Sequence, residues 1–191
     1  MLEVCRQAVQ QYHLDNQVHL SLADMARFDL PRKDFGLVFV ALRSFMHLLT
    51  QADQLACLQR VYKHLHPEGY FILNVIAPDP TKLAQKPNNV FAVRREFDLP
   101  NGHHVIRKER LIEHDTVSQV RLFEFRFEEY DVTGALFRER HIPVYMRYLF
   151  RDELQRLFEM TGFQVVAVFR DYDRNAYDGT GEMIAVARRL Q

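Results

Sequence analysis

Two short, continuously apolar runs on either side of a helical pattern limit what this chain can form more than any other feature. Residues 35–41 (FGLVFVA) and 70–75 (YFILNV) have the length of strands. Their lack of alternation is typical of parallel strands buried on both faces. Between them, residues 50–66 repeat apolar side chains at helical spacing. Thr50, with Asp53 three positions later, resembles a capping box at the start of that helix. This order predicts a parallel sheet with a right-handed helical crossover.

The two ends of the chain continue this α/β pattern. The N-terminal end predicts an amphipathic helix followed by a strand, and the C-terminal end predicts a helix closed by a glycine and then two strands. These predicted elements are the helix at residues 1–12, the strand at 18–22, the helix at 154–160 with Gly162 after it, and the strands at 163–169 and 183–187.

The middle of the chain changes to a period of two. Residues 90–145 alternate polar and apolar side chains, and turn sequences interrupt them at 99–102, 113–115 and 131–134. This pattern predicts an antiparallel meander of three or four strands. We therefore expect a single domain over residues 1–191 that carries an antiparallel β insertion at residues 88–147.

Composition excludes several classes of function. The 191 residues carry a formal net charge of +0, whereas capture of nucleic acid or of an anionic membrane needs a basic excess. Cys5 and Cys57 are too few for a disulfide framework or a zinc site. His64 and His66 lack nearby carboxylates at metal-binding spacing, so we expect surface residues and no metal. Without a signal-peptide pattern or an apolar run of roughly 18 residues, we expect a cytoplasmic, soluble protein.

Several motifs, taken in order, resemble those of class I (Rossmann-like) S-adenosylmethionine-dependent methyltransferases. Residues 35–40 resemble that family's fourth strand, with Gly where Asp is usual, and residues 64–71 are similar to its L-x-P-G-G turn into the fifth strand. Residues 149–163 resemble the helix and turn into the sixth strand. Residues 43–48 (RSFMHL) are similar to the N-S-F-x-H-L stretch of small-molecule N-methyltransferases, with Arg in place of the common Asn.

The motif that holds most of the cofactor in that family has no counterpart here. The family has a glycine-rich loop after its first strand, but none of the seven glycines forms a G-x-G after an early strand. Residues 179–181 have that spelling and precede the last strand instead. Met1 and Leu2 resemble the start of the helix after the family's second strand. We therefore expect a chain without the first two family strands and with an incomplete S-adenosylmethionine pocket.

Loss of those strands leaves the fourth family strand as a long apolar edge, which is a template for aggregation. Something is expected to cover it. The three candidates are a contracted sheet, a domain-swapped or edge-paired homo-oligomer, and a separately encoded N-terminal complementing segment.

The resemblance implies four cofactor-binding residues. Asp24 and Met25 follow the first predicted strand, where the family contacts adenine, and Ala41 and Leu42 follow the fourth family strand. Ligands of such sheets bind outside the carboxyl ends of the strands. An ordinary turn aspartate that caps local amides is the alternative for Asp24.

The same resemblance places the substrate beside residues 43–47. His47 is the candidate catalytic residue, because a base near neutral pH keeps an amine nucleophile unprotonated. Arg43 and Ser44 are candidate substrate-binding residues, and Arg43 suits a substrate carboxylate. Tyr145 and Tyr148 are candidates to line the acceptor pocket under the meander. The alternatives are a histidine satisfied at a helix end, a surface arginine and aromatic core residues.

Three functions compete at this point. The first is S-adenosylmethionine-dependent methyl transfer to a small-molecule amine or hydroxyl acceptor, with the meander as substrate cover. The second is a non-catalytic methyltransferase-like subunit or fragment that associates through its open sheet edge. A nicotinamide-dependent enzyme is the third, and it needs a dinucleotide fingerprint that the sequence lacks.

Overall fold

The computed structural model describes residues 1–190, which form two four-stranded β-sheets and four α-helices. In chain order the elements are α1 (Leu2–Gln11), β1 (Phe35–Val40), a 3₁₀ turn (Ser44–His47), α2 (Gln51–His64), β2 (Leu65–Ile76), α3 (Pro80–Leu83), β3 (Ala92–Asp98), β4 (His104–Asp115), β5 (Val120–Tyr130), β6 (Leu136–Arg147), α4 (Arg151–Met160), β7 (Phe163–Phe169) and β8 (Glu182–Arg189).

The first sheet, sheet A, has the strand order β1-β2-β8-β7. β1 and β2 are parallel, and β8 runs antiparallel to both of its neighbours. In the family's numbering this is the order 4-5-7-6, so the Rossmann-like methyltransferase sheet that the apolar runs and motifs predicted is confirmed. The N-cap at Thr50 is confirmed as well, since Thr50 Oγ1 accepts a hydrogen bond from the Asp53 amide at 3.1 Å. The Asp53 carboxylate accepts from the Thr50 hydroxyl at 2.6 Å.

The hydrophobic core lies on one face of sheet A, under α2 and α4. Phe71, Leu73 and Val75 of β2 have no exposed surface and pack in one cluster with Leu58 of α2 and Leu157 of α4. Such side chains each contribute roughly 1.5–3 kcal/mol when they leave water. The alternation of β2 between this face and the opposite one fixes its register.

The second sheet, sheet B, contains the predicted meander and is fully antiparallel in the order β3-β4-β5-β6. Two of its turns contain glycines in the left-handed region, Gly102 and Gly134, both with φ of 82°. That conformation is strained for any residue with a Cβ. The turn sequences therefore located two of the three hairpin connections correctly. The turn predicted at 113–115 is wrong, because these residues end β4 and the chain turns at 116–119.

The strand predicted at residues 18–22 is wrong, because this segment has no regular secondary structure. A strand needs a neighbour to pair its backbone groups, and among the described strands β1 pairs only with β2. The contracted sheet, in which this segment would lie against β1, is therefore excluded as a cover for the β1 edge.

The prediction that His64 lies on the surface is also wrong. Its ring is 1% exposed, and Nε2 accepts a hydrogen bond from the Leu30 amide at 2.8 Å. Nδ1 lies 2.7 Å from the Arg60 carbonyl, to which it donates. His64 thus holds the loop before β1 against the end of α2.

The face of sheet A opposite the core carries large apolar side chains in contact with solvent. Leu37 and Phe39 of β1 are 51% and 66% exposed, and Tyr70 of β2 lies beside Leu37 on the same face. α1 is amphipathic but buries no residue. No helix within residues 1–190 is both long and apolar enough to cross a bilayer.

Candidate active site

The candidate site lies at the edge of sheet A where β1 and β2 end. Because the two strands are parallel, Val40 and Ile76 reach the same edge, and Glu182 begins the antiparallel strand β8 there. This carboxyl edge is where open α/β sheets bind ligands. The backbone between β1 and α2 therefore decides which side chains a ligand would meet.

That backbone begins with two consecutive residues in the left-handed region. Leu42 has φ of 54° and Arg43 has φ of 63°, which costs roughly 1–2 kcal/mol for each residue with a Cβ. Conformations of this kind persist where the surroundings hold them, and they concentrate at functional sites. The strain lies at the predicted cofactor and substrate positions.

The 44–47 turn (Ser44–His47) follows directly and is held by side chains packed in the core. Phe45 and Met46 are buried in the core. The Met46 amide donates to the Arg43 carbonyl at 2.9 Å, and Ser44 Oγ donates to the Ala41 carbonyl at 2.9 Å. The Ser44 hydroxyl, predicted to bind substrate, is thus occupied in shaping the turn.

His47 is the residue of the turn whose ring faces solvent. Its Nδ1 lies 3.0 Å from the backbone carbonyl oxygen of Tyr145 in β6. A carbonyl only accepts, so we assign the proton to Nδ1, which leaves Nε2 as an unprotonated acceptor. This contact joins the candidate base to sheet B. The sequence did not predict it, because the two residues are 98 positions apart.

Arg43 is paired within the protein. Its Nη2 donates to Oε1 of Glu182, and Nδ2 of Asn74 donates to Oε2 of the same carboxylate. Asn74 is 3% exposed. Sequence reasoning missed Asn74 and Glu182, although an amide inside an otherwise apolar strand is a signal, because buried polar groups need partners.

Asp24 and Met25 lie in the loop between α1 and β1. Asp24 Oδ1 accepts a hydrogen bond from the Ala26 amide at 2.7 Å. This is the geometry of a turn aspartate, the alternative considered for Asp24. Met25 is partly buried and packs against the core cluster. The Cys57 thiol of α2 has its pKa raised to about 12 by burial, with a smaller contribution from the Asp24 charge. Asp24 therefore lies near the middle of α2.

The two predicted tyrosines have different surroundings. The Tyr145 ring is 47% exposed, whereas Tyr148 is 8% exposed and belongs to the core cluster. Burial raises the pKa of the Tyr148 hydroxyl, which lies 3.4 Å from Nε2 of His114. Burial, with the Arg121 charge, lowers the pKa of that histidine. The structure thus brings the Tyr145 backbone to His47 and packs the Tyr148 ring inside the protein.

An open cavity of about 540 Å³ lies beside the N-terminal end of α4 and the loop after β2. Phe150, Tyr177, Asp152 and Asp178 contribute to its lining. The pKa of Asp178 is lowered to about 2, chiefly by hydrogen bonds from Thr180 and also by Arg170. Sequence reasoning did not identify this cavity, because its lining comes from segments far apart in the chain.

The sequence model of a family described as methyltransferase domain matches residues 1–69. No curated protein sequence matches the chain. Among solved structures, the CcbJ methyltransferase from Streptomyces caelestis is 21% identical, with a TM-score of 0.75, over 97% of this chain and 69% of that one. An S-adenosylmethionine-dependent methyltransferase from Clostridium acetobutylicum is 15% identical, with a TM-score of 0.77, over 100% of this chain and 73% of that one.

A third similar structure is CalS10 with bound S-adenosylmethionine, an amino pentose methyltransferase from Micromonospora echinaspora. It is 22% identical, with a TM-score of 0.67, over 96% of this chain and 69% of that one. The chain therefore has the Rossmann-like fold of these methyltransferases, and its first 69 residues match the sequence model of a methyltransferase domain. S-adenosylmethionine, the cofactor that the motifs predicted, is bound in the CalS10 structure.

The residues of the site suit part of such a cofactor. Leu42 has an 84% exposed apolar side chain, a surface of the kind that an adenine ring needs, and Asp24 carries a second carboxylate oxygen besides the one that the Ala26 amide occupies. Among residues 1–190, no glycine-rich turn follows an early strand to admit the rest of the molecule. The fit thus covers the adenine end alone.

Proposed function

We propose that this chain takes part in S-adenosylmethionine-dependent methyl transfer to a small-molecule amine or hydroxyl acceptor, with His47 as the catalytic base. One observation carries the proposal. The exposed His47 ring stands at the carboxyl edge of sheet A with Nδ1 held by the Tyr145 carbonyl, so that Nε2 is directed away from the protein contact as an acceptor.

The chain's contribution to the reaction is alignment and removal of a proton. When bound, S-adenosylmethionine would supply a methyl group carried on a positively charged sulfur, and the sulfur would keep the bonding electron pair as it leaves. His47 Nε2 takes the proton that the attacking nitrogen or oxygen loses. The Tyr145 carbonyl then stabilises the charged imidazole through Nδ1–H. Base catalysis of this kind contributes roughly 10²–10⁴-fold.

Acceptor binding is proposed to involve sheet B. The exposed Tyr145 ring belongs to its last strand, beside His47, and Arg43 retains donors that Glu182 does not use. Sheet B (residues 92–147) would then cover the acceptor and exclude water. A small amine is the favoured acceptor, because the similar fold of CalS10 is that of an amino pentose methyltransferase.

A complete cofactor pocket is proposed to require further polypeptide on sheet A. Leu37 and Phe39 leave the edge strand β1 with an apolar surface in water, and exposed strand edges pair readily. Either a second copy of this chain or an N-terminal complementing segment would cover that surface and α1.

The second candidate function is a non-catalytic subunit that associates through the same edge. It is favoured by the Asp24 carboxylate, which already accepts a local amide as a turn residue does. In that case the Leu37 and Phe39 surface would be the functional part of the chain.

Calorimetric titration with S-adenosylmethionine and S-adenosylhomocysteine distinguishes the methyltransferase from the non-catalytic subunit. The mass of the chain in solution is measured in the same samples. We expect micromolar binding by an assembly larger than one chain. A folded chain that binds neither compound at millimolar concentration would favour the non-catalytic subunit.

A further inference from the structure

We propose that Glu182 is a positioning residue that fixes the left-handed turn at Arg43 and, through it, the orientation of His47. The inference rests on the proposed function, in which His47 is the base. It concerns a residue at the start of the last strand, 135 positions from His47 in the numbering of the chain, and no motif of the sequence pointed to it.

The carboxylate of Glu182 joins three strands at the edge of sheet A. Glu182 pairs with Ile76 across the β2–β8 ladder, and Asn74 lies two residues earlier on the same face. Oε2 accepts from Asn74 Nδ2, and Oε1 accepts from Arg43 Nη2, beyond the end of β1. One side chain of β8 thus links β2 to the segment that follows β1.

The link reaches His47 through the backbone. Arg43 precedes the 44–47 turn, and its carbonyl accepts the Met46 amide at 2.9 Å. A rotation of the Arg43 backbone out of the left-handed region would redirect that carbonyl and move the residue after Met46, which is His47. Because the left-handed conformation is unfavourable for arginine, a specific tie to the side chain is a reason for it to persist.

A carboxylate suits this position better than an amide would. Two donors approach Glu182 from different strands, and each finds one oxygen. A glutamine offers one oxygen and places an N–H group against the second donor. The buried Asn74 amide would then lose its partner, which is costly in an apolar strand.

Together, the contacts of Glu182 with Arg43 and Asn74 are called the clamp. The side-chain NMR spectrum of His47 tests the clamp without any methyl acceptor. In protein labelled with ¹⁵N at histidine, the imidazole shifts report which nitrogen carries the proton, and His47→Gln assigns the signal. We expect the Nδ1–H form in the parent protein. In Glu182→Gln we expect both tautomers in exchange and roughly 10- to 100-fold slower methyl transfer, the scale on which small misplacements act.

A matched control removes a similar ion pair from the other end of sheet A. Glu68 contacts Arg188 at 3.3 Å, far along β2 from Asn74, so Glu68→Gln leaves the His47 spectrum unchanged. Arg43→Met breaks the clamp from its exposed side and provides the test if Glu182→Gln does not fold. Arg43→Lys, which keeps a cation beside Glu182, restores the parent tautomer in part.

Two results decide the matter. If Glu182→Gln and Arg43→Met each disturb the His47 tautomer and the double variant adds nothing further, the two residues act as one unit. If both folded variants keep the parent spectrum, Phe45 and Met46 hold the turn by packing and the proposal is overturned. The parent chain could transfer no methyl group while Glu182→Gln still changes the His47 tautomer. That result supports the clamp and rejects only the proposed function.

Discussion

Arg147 at the end of β6 lies 2.5 Å from the Glu153 carboxylate at the start of α4, and this ion pair joins sheet B to the helices on sheet A. The Arg147 guanidinium also donates to Gln54 of α2 at 2.8 Å and to Gln119 at 3.0 Å. With side-chain exposures of 9% and 20%, both charges are largely removed from water. His47 contacts the same strand two residues earlier, at the Tyr145 carbonyl.

The first prediction concerns that network. Arg147→Met leaves the Glu153 charge without its partner, and we expect it to lower the free energy of unfolding by about 3 kcal/mol. Urea denaturation followed by circular dichroism measures the change. Arg138→Met is the control, because Arg138 is 48% exposed and 3.8 Å from Glu129, so its loss changes stability by less than about 1 kcal/mol. Equal effects of the two substitutions would contradict the role assigned to Arg147.

The elements that the sequence predicted correctly are those whose signal is local. The apolar run of β2 reflects burial, and the Thr50 cap reflects a hydrogen bond within a few residues, which is why their positions could be predicted. The apolar run of β1 also located a strand, but the expected burial on both faces is wrong, because Leu37 and Phe39 are exposed. Residues 18–22 alternate equally well but form no strand, because alternation without a neighbouring strand pairs no backbone groups. A pattern along the chain does not report whether that neighbour is present.

The candidate site was predictable only in part for a related reason. His47 and Arg43 could be found because they lie in a motif of six residues. The partners that give them geometry, the Tyr145 carbonyl and the Glu182 carboxylate, are 98 and 139 residues away along the chain. Their contacts depend on strand register and on how the two sheets meet, which no local pattern encodes.

The second prediction concerns the open edge of sheet A. Phe39→Lys places a charge on the exposed apolar face of β1, and charges on edge strands oppose pairing. We expect the mass in solution to fall to that of a single chain, as measured by light scattering after size-exclusion chromatography. Val132→Lys is the control, because Val132 is 76% exposed in the β5–β6 connection. A Phe39→Lys protein that still self-associates would move the interface away from β1.

The third prediction concerns the pH response of the cavity beside α4. The Asp178 pKa is lowered from 3.8 to about 2 by hydrogen bonds from Thr180 and by Arg170. Because the folded-state pKa is depressed, the carboxylate's stabilising contribution is present above the unfolded value near 3.8 and is lost as pH falls toward 2. Carboxyl ¹³C NMR should show Asp178 titrating near 2 and moving upward in Thr180→Val. Titration at the ordinary value in the parent protein would exclude these hydrogen bonds in solution.

The fourth prediction separates chemistry from binding at His47. His47→Gln removes the Nε2 acceptor, so we expect methyl transfer to a small amine to fall by roughly 10²–10⁴-fold, while the affinity for S-adenosylhomocysteine, measured by calorimetry, stays within about threefold of the parent value. His66→Gln is the matched control, since His66 is an exposed histidine at the opposite end of β2. The exposed ring of His47 contacts the Tyr145 carbonyl of sheet B. A loss of rate with unchanged cofactor affinity therefore assigns His47 to proton removal. A parallel loss of cofactor affinity would instead make His47 part of the fold of the 44–47 turn.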